Sequence, residues 1–228
     1  MENIEQSVKD LLSDSDGHGY DHVERVRNMA LKFAQQEGAD LEVVEIASLL
    51  HDVDDYKLFG EESAKLLTNA NKILYENSID EKVRNQVLEI ISTIGYNKYL
   101  EGTRPKTLEG RIVSDADMCD AIGASGILRT HAYNLSKGGV FFDKTLLPAS
   151  SQKSSSEYRN TKDEHATQHF FDKLLIIPSI LITQSGQEEG SKRLHIMINF
   201  LDELFREESA DDWTIYLKSF VIENSINS

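Results

Sequence analysis

The run Ala47-Ser48-Leu49-Leu50-His51-Asp52-Val53-Asp54-Asp55 joins an apolar stretch to a histidine followed directly by an aspartate. Val44, Ala47 and His51 repeat at i, i+3, i+7, so the spacing predicts a helix over Leu41–Val53 whose inward stripe His51 continues. An inward imidazole needs a polar partner. Asp52 adds a carboxylate about 100° further round the same helix, which lets adjacent residues approach one ion from two sides. Nitrogen with oxygen donors suits Mn²⁺, Fe²⁺, Ni²⁺, Co²⁺ or Zn²⁺ better than Ca²⁺. The competing reading is a histidine favoured by the helix C-terminal dipole beside a solvated aspartate. The doublet alone does not choose between them.

Upstream, His22, Val26, Met29 and Phe33 fall at i, i+4, i+7, i+11, which places His22 in the first turn of a buried helical stripe. Gly38 fits that helix's stop and Asp40 the next N-cap. So short a connection makes the two helices neighbours, and His22 can meet His51. Downstream, Glu61–Asn77 and Asp80–Ile94 show helical spacing, and Thr107 is a candidate cap for one long helix or two joined ones from Leu108 to about Leu135. That stretch carries Asp115, Asp117 and Asp120. Its Gly123 and Gly126, costly in a free helix, point to close packing or close approach of a ligand.

Residues 138 to 160 are rich in Ser, Gly and Lys, with Pro148, and read as an irregular loop that is either a lid or an excursion without function. Helix resumes over Thr161–Ile177, with His165 and His169 at i, i+4, and a long final helix covers Gln187–Glu208. No carboxylate motif surrounds that histidine pair, so packing or surface roles fit it better than metal binding. No convincing strand alternation occurs. The expected fold is all-α in a single domain over 1–228, with a core at about 18–135, the loop at about 138–160 and C-terminal helices over 161–220.

A formal net charge of -15 repels a phosphate backbone and argues against a broad nucleic-acid surface. It leaves room for a small phosphorylated substrate, because a bound divalent ion dominates the field inside a cleft. The single cysteine, Cys119, excludes an intrachain disulfide. No run is long and apolar enough to span a bilayer, and the first residues lack the pattern of a signal peptide, so the expected location is the cytoplasm, with no membrane partner.

Three segments carry a resemblance: His18-Gly19-Tyr20-Asp21-His22-Val23-Glu24-Arg25-Val26, Leu49-Leu50-His51-Asp52-Val53-Asp54-Asp55 and Arg111-Ile112-Val113-Ser114-Asp115-Ala116-Asp117-Met118-Cys119-Asp120-Ala121-Ile122-Gly123. Together they resemble the HD-domain metal-dependent phosphohydrolases. The third segment, with His169-Phe170-Phe171-Asp172-Lys173-Leu174-Leu175, is similar to the small bacterial stand-alone HD hydrolases. The resemblance spans nearly the whole chain and implies an HD-type helical bundle. It also implies His22, His51, Asp52 and Asp117 as metal ligands. Periodicity does not select among the three aspartates, whereas the family pattern takes the one directly after a small residue, Ala116-Asp117. Asp115 and Asp120 then read as helix–helix hydrogen-bond partners. Two-metal HD enzymes use further histidines between the doublet and the last aspartate. None occurs from Val53 to Ala116, so one divalent ion per chain is expected, with Mn, Ni, Fe, Co, Mg and Zn not distinguished.

The resemblance further implies water, activated by the metal, attacking a phosphorus centre, with a nucleotide as substrate and a (deoxy)nucleoside triphosphate yielding pyrophosphate as the leading case. Two other readings are a nucleotide phosphatase or phosphodiesterase on the same site and a catalytically silent nucleotide-binding regulator. Asp55, four residues beyond His51, is a candidate base or partner of the ligand imidazole. His18, one turn before His22, is a candidate for orienting a ligand or the substrate. Lys57, Arg104, Lys106 and Arg129 are candidate phosphate contacts. A homodimer is compatible with all of this.

Overall fold

The computed structural model describes residues 1–12, 19–146 and 165–224. His18, and residues 147–164 of the irregular loop and the start of the helix expected after it, lie outside them. Among the described residues there is no strand, only an isolated bridge between Val140 and His165, so the all-α class expected from the sequence is the class observed. Contacts gather the chain into two units, Met1–Asp117 with Ile182–Gly186, and Met118–Leu181 with Gln187–Ser228.

The first unit runs α1 (Glu2–Leu12), α2 (Tyr20–Glu37), α3 (Leu41–Leu50), α4 (Tyr56–Leu66), α5 (Thr68–Glu76), α6 (Glu81–Thr93), α7 (Tyr96–Leu100) and α8 (Leu108–Asp120), of which residues up to Asp117 belong here. Helix α3 lies at its centre, packed by α1, α2 and α6. That position explains its composition: Val43, Val44, Ile46, Ala47, Leu49 and Leu50 are all buried, so no polar face is needed. Around it pack Val23, Val26, Ala30 and Phe33 of α2, Val87, Ile90 and Ile91 of α6, and Ile112, Val113 and Ala116 of α8.

The caps between α2 and α3 are those expected. Gly38 takes the left-handed conformation (φ 75°) and returns its N–H to Ala34 O, and the Asp40 carboxylate accepts from the N–H groups of Glu42 and Val43. Helix α3 stops at Leu50, three residues before the expected end, because the chain must turn to start α4 at Tyr56. The helix expected over Glu61–Asn77 divides at Leu67, which adopts φ 51° while its side chain packs against the core. The expectation had no signal for that break, since a leucine at positive φ is rare and is held by its surroundings.

The second unit contains α9 (Gly123–Ser136), α10 (Ala166–His169), one π turn over Phe170–Leu174, α11 (Ile177–Ile180), α12 (Gln184–Glu207) and α13 (Asp211–Glu223), with Gln184–Gly186 of α12 counted in the first unit. The two joined helices expected from Leu108 are α8 and α9. At their junction Gly123 has φ 78°, and a Cβ on Gly126 would lie 2.3 Å from the Ala121 carbonyl oxygen, so both glycines serve chain packing. The helix expected over Thr161–Ile177 is short pieces instead of one rod, and the helix expected to be last is followed by α13, whose Trp213 and Leu217 are buried. Phe142 packs on Phe205 and Trp213, Phe141 packs edge-on against Phe170 and Phe200, and the Trp213 indole donates to Leu146 O. The described part of the loop is therefore anchored by its apolar residues. His165 is buried against Phe142 and Trp213, a packing position.

Candidate metal centre

Helix α2 begins after Gly19, which is extended (φ -72°, ψ 170°), and its first turn carries His22 inward. His51 follows the last residue of α3. Its Nδ1 lies 2.8 Å from Ser48 O, an acceptor only, so Nδ1 carries the proton and donates. The lone pair is thereby left on Nε2, the tautomer a metal ligand requires. His51 Nε2 lies 3.1 Å from His22 Nε2, with ring centroids 5.0 Å apart and planes at 68°. Asp52 Oδ2 is 3.5 Å from His22 Nε2 and 3.6 Å from His51 Nε2, and Asp117 Oδ1 is 3.5 and 3.8 Å from the same atoms.

Those spacings can be set against the ones around a small cation. Donors about 2.1 Å from one ion stand about 3.0 Å apart at right angles and about 3.4 Å apart in a tetrahedron. The contact between the imidazoles, 3.1 Å, falls in that range, and the four imidazole–carboxylate contacts, 3.5 to 3.8 Å, lie somewhat beyond it. His22, His51 and Asp52 group closely enough to hold a metal ion, and Asp117 stands beside both imidazoles. The imidazoles are shielded, with side chains 5 % and 2 % exposed, while the carboxylates of Asp52 and Asp117 are 16 % and 24 % exposed. An incoming ligand meets the carboxylate side first. Burial raises the Asp117 carboxyl, but the hydrogen bond to His22 and the charges of His51 and His22 outweigh it, and the group lies below the ordinary carboxylate range.

The three acids after His51 divide their tasks. Asp52 faces the histidines. The buried Asp54 accepts from Ser63 Oγ and from the N–H groups of Asn69 and Ala70, while Asn69 Nδ2 donates to Val53 O, so this carboxylate fastens the turn to the start of α5. Asp55 is the N-cap of α4 and accepts from Lys57 N at 2.8 Å. The helix having ended at Leu50, Asp55 does not lie on one helical face with His51, which corrects the geometry behind its expected role. A cap signal, Asp before Tyr-Lys-Leu-Phe, was readable for Asp55. Nothing marked Asp54, whose partners lie nine to sixteen residues away.

Three of the four candidate phosphate contacts, Arg104, Lys57 and Arg129, have local partners, and Lys106 is exposed. The Arg104 guanidinium lies 3.7 Å from the Tyr99 ring centroid, and the Lys57 ammonium 5.8 Å from that of Tyr56. Arg129, in the second unit, donates to the buried Asp120 at 2.9 Å. Asp115 accepts from Ile182 and Thr183, as a partner between elements should. The only other cluster expectation, His18, falls among residues outside the description.

A family model for the HD domain matches residues 19–122. An uncharacterized Bacillus subtilis protein, YpgQ, is 29 % identical over 209 residues, which are 90 % of this chain and 92 % of that one. A crystal structure of YpgQ in complex with ADP aligns with a TM-score of 0.67, covering 90 % of this chain and 97 % of that one. An HD-superfamily hydrolase from Bacillus thuringiensis is 32 % identical, with a TM-score of 0.69, and the alignment covers 92 % of this chain and 98 % of its own.

Proposed function

This chain belongs to the HD-domain superfamily, and on that premise we propose that it is a phosphohydrolase holding one divalent ion on His22, His51, Asp52 and Asp117 and acting on a nucleotide. The observation that carries the reading is the meeting of two imidazole nitrogens and two carboxylate oxygens, with the His51 tautomer fixed by the Ser48 carbonyl. A divalent ion held there supplies Lewis acidity, lowering the pKa of water and polarising a phosphoryl oxygen. The chain's own residues do the rest. The two shielded histidines back the site, so that substrate enters past Asp52 and Asp117. Asp54 and the Asp55 cap hold the turn that presents Asp52.

Bound ADP in the YpgQ crystal supports a nucleotide as the ligand class. Within that class, a (deoxy)nucleoside triphosphate cleaved to monophosphate and pyrophosphate is the substrate we propose. The test is metal content by mass spectrometry of untagged protein, followed by a nucleotide panel with each metal restored. About one transition ion per chain, lost together with turnover in His51→Ala, Asp52→Ala, is the expected result. Absence of metal, or unchanged hydrolysis in that variant, overturns the reading. Inorganic phosphate in place of pyrophosphate would make the enzyme a nucleotide phosphatase, and stoichiometric nucleotide binding without product would make it a regulator.

A further inference from the structure

Asp115 stands two residues before Asp117 on α8, so at about 100° per residue its side chain leaves the helix on a different side, roughly 160° away. It is buried, 1 % exposed. Its carboxylate accepts from Ile182 N at 2.9 Å, from Thr183 N at 2.7 Å and from Thr183 Oγ1 at 2.8 Å. The Thr183 hydroxyl in turn accepts from Gly186 N at 3.0 Å, and a Cβ on Gly186 would lie 2.5 Å from Asp115 Oδ2. The same short segment is tied to α2, because Ser185 N donates to Glu37 Oε1 at 2.8 Å. Residues 182–186 thus form a strap joined to the two helices that carry His22 and Asp117.

We propose that Asp115 is a positioning residue for the metal centre: by clamping one side of α8 to the strap at Ile182 and Thr183, it fixes the rotation of α8 that aims Asp117 at His22 and His51. The physical reason is leverage. A helix free to roll by 20° about its axis swings an aspartate oxygen several Å off the axis by more than 1 Å, and donor sets tolerate less than that. A buried carboxylate that accepts three hydrogen bonds has no other stable arrangement, so it pins the roll. Gly186 leaves room for this contact, which any larger residue would close.

The proposal rests on the metal-site reading above and is tested so that the two fail separately. Mn²⁺ binding is measured by calorimetry and by the paramagnetic resonance of the bound ion, on full-length wild type, His51→Ala, Asp115→Asn, Thr183→Val and Asp172→Asn. Asp172, buried and hydrogen-bonded to Gln168 in the second unit, gauges the effect of simply losing stability. Asp115→Asn keeps the shape but places an amide NH₂ against N–H donors. It is expected to weaken Mn²⁺ binding by about 10- to 100-fold, the range seen when residues behind metal ligands are altered, with a changed resonance spectrum. Thr183→Val, the milder change should Asp115→Asn not fold, is expected to move affinity the same way by about threefold. Asp172→Asn is expected to lower the unfolding temperature and leave affinity intact. If wild type binds and His51→Ala does not, yet Asp115→Asn and Thr183→Val bind as tightly as wild type, the clamp is structural only and the proposal is overturned. If wild type itself binds no ion, the metal-site reading falls first.

Discussion

Two groups of charged residues within the first unit are built on opposite plans. Around Arg27, the guanidinium reaches Glu45 through Nε at 3.0 Å and through Nη2, and Glu5 through Nη1 at 3.3 Å, while Lys9 holds Glu5 at 2.6 Å. Each carboxylate there has its cation in the chain. At the candidate metal centre, two carboxylates face two imidazoles whose Nε2 atoms stand 3.1 Å apart. The first arrangement pairs each carboxylate with a cation, whereas the second turns two carboxylates toward two imidazoles, which can share protons or a cation with them. A group that neutralises itself ties helices together, whereas imidazoles and carboxylates turned toward one another offer the donors that a cation takes.

The most severe way to break that contrast is to remove two donors. In His51→Ala, Asp52→Ala, metal content should fall from about one ion per chain to background, and hydrolysis should fall by well over 100-fold, since altering even an outlying partner of a metal ligand costs 10- to 100-fold. Far-ultraviolet circular dichroism should stay helical. If metal is retained, the convergence of donors is incidental.

Next in size is Asp54→Ala. It removes the acceptor of Ser63 Oγ and leaves the N–H groups of Asn69 and Ala70 unpaired beneath the turn. Stranding one buried and one half-buried donor costs about 2 kcal/mol in all, to be read from the midpoint of urea unfolding. A loss under about 1 kcal/mol would mean that water replaces the carboxylate at no great expense.

These two variants mark the boundary of what the sequence disclosed. His22 and His51 were legible because each continues an apolar stripe at helical spacing, and the Gly38 and Asp40 caps told where α2 and α3 meet. Asp117 was legible only through the family resemblance, since periodicity left Asp115 and Asp120 equally open. The task of Asp54 was not legible at all, and that of Asp115 only as a hydrogen-bond partner between elements, with the partner itself unspecified. Both depend on backbone N–H groups supplied by segments distant in sequence, and no residue type or spacing encodes such a partner. The split at Leu67 failed for a related reason, as tertiary packing there overrides local preference. By contrast α13 carries its own signal, Trp213, Leu217 and Phe220 at i, i+4, i+7, which the expected end of the last helix at Glu208 passed over.

Sharpening the contrast from the other side, Arg27→Ala should leave Mn²⁺ affinity unchanged while lowering stability by about 1 kcal/mol, because the group is partly exposed and ion pairs of that kind contribute little. The loss should shrink as salt is raised. A change in metal affinity instead would show that the Arg27 group and the donor cluster are energetically coupled through α2.

The smallest effect lies beside that group, at Tyr20. Burial, and then the neighbouring Glu5 carboxylate, push the Tyr20 hydroxyl up to about 12 from an ordinary 10. The folded state therefore favours the neutral phenol. Its contribution is fully present below pH 10, where the phenol is protonated in both states. It declines above pH 10, where the unfolded chain gives up the proton and the folded chain does not, and it is exhausted as pH passes about 12. Tyr20→Phe should be indistinguishable from wild type in the steepness of its stability loss below pH 10 and should lose stability less steeply between pH 10 and 12, as followed by urea midpoints in that window. Parallel curves throughout would place the Tyr20 hydroxyl in contact with solvent and leave Glu5 to be balanced by Lys9 and Arg27 alone.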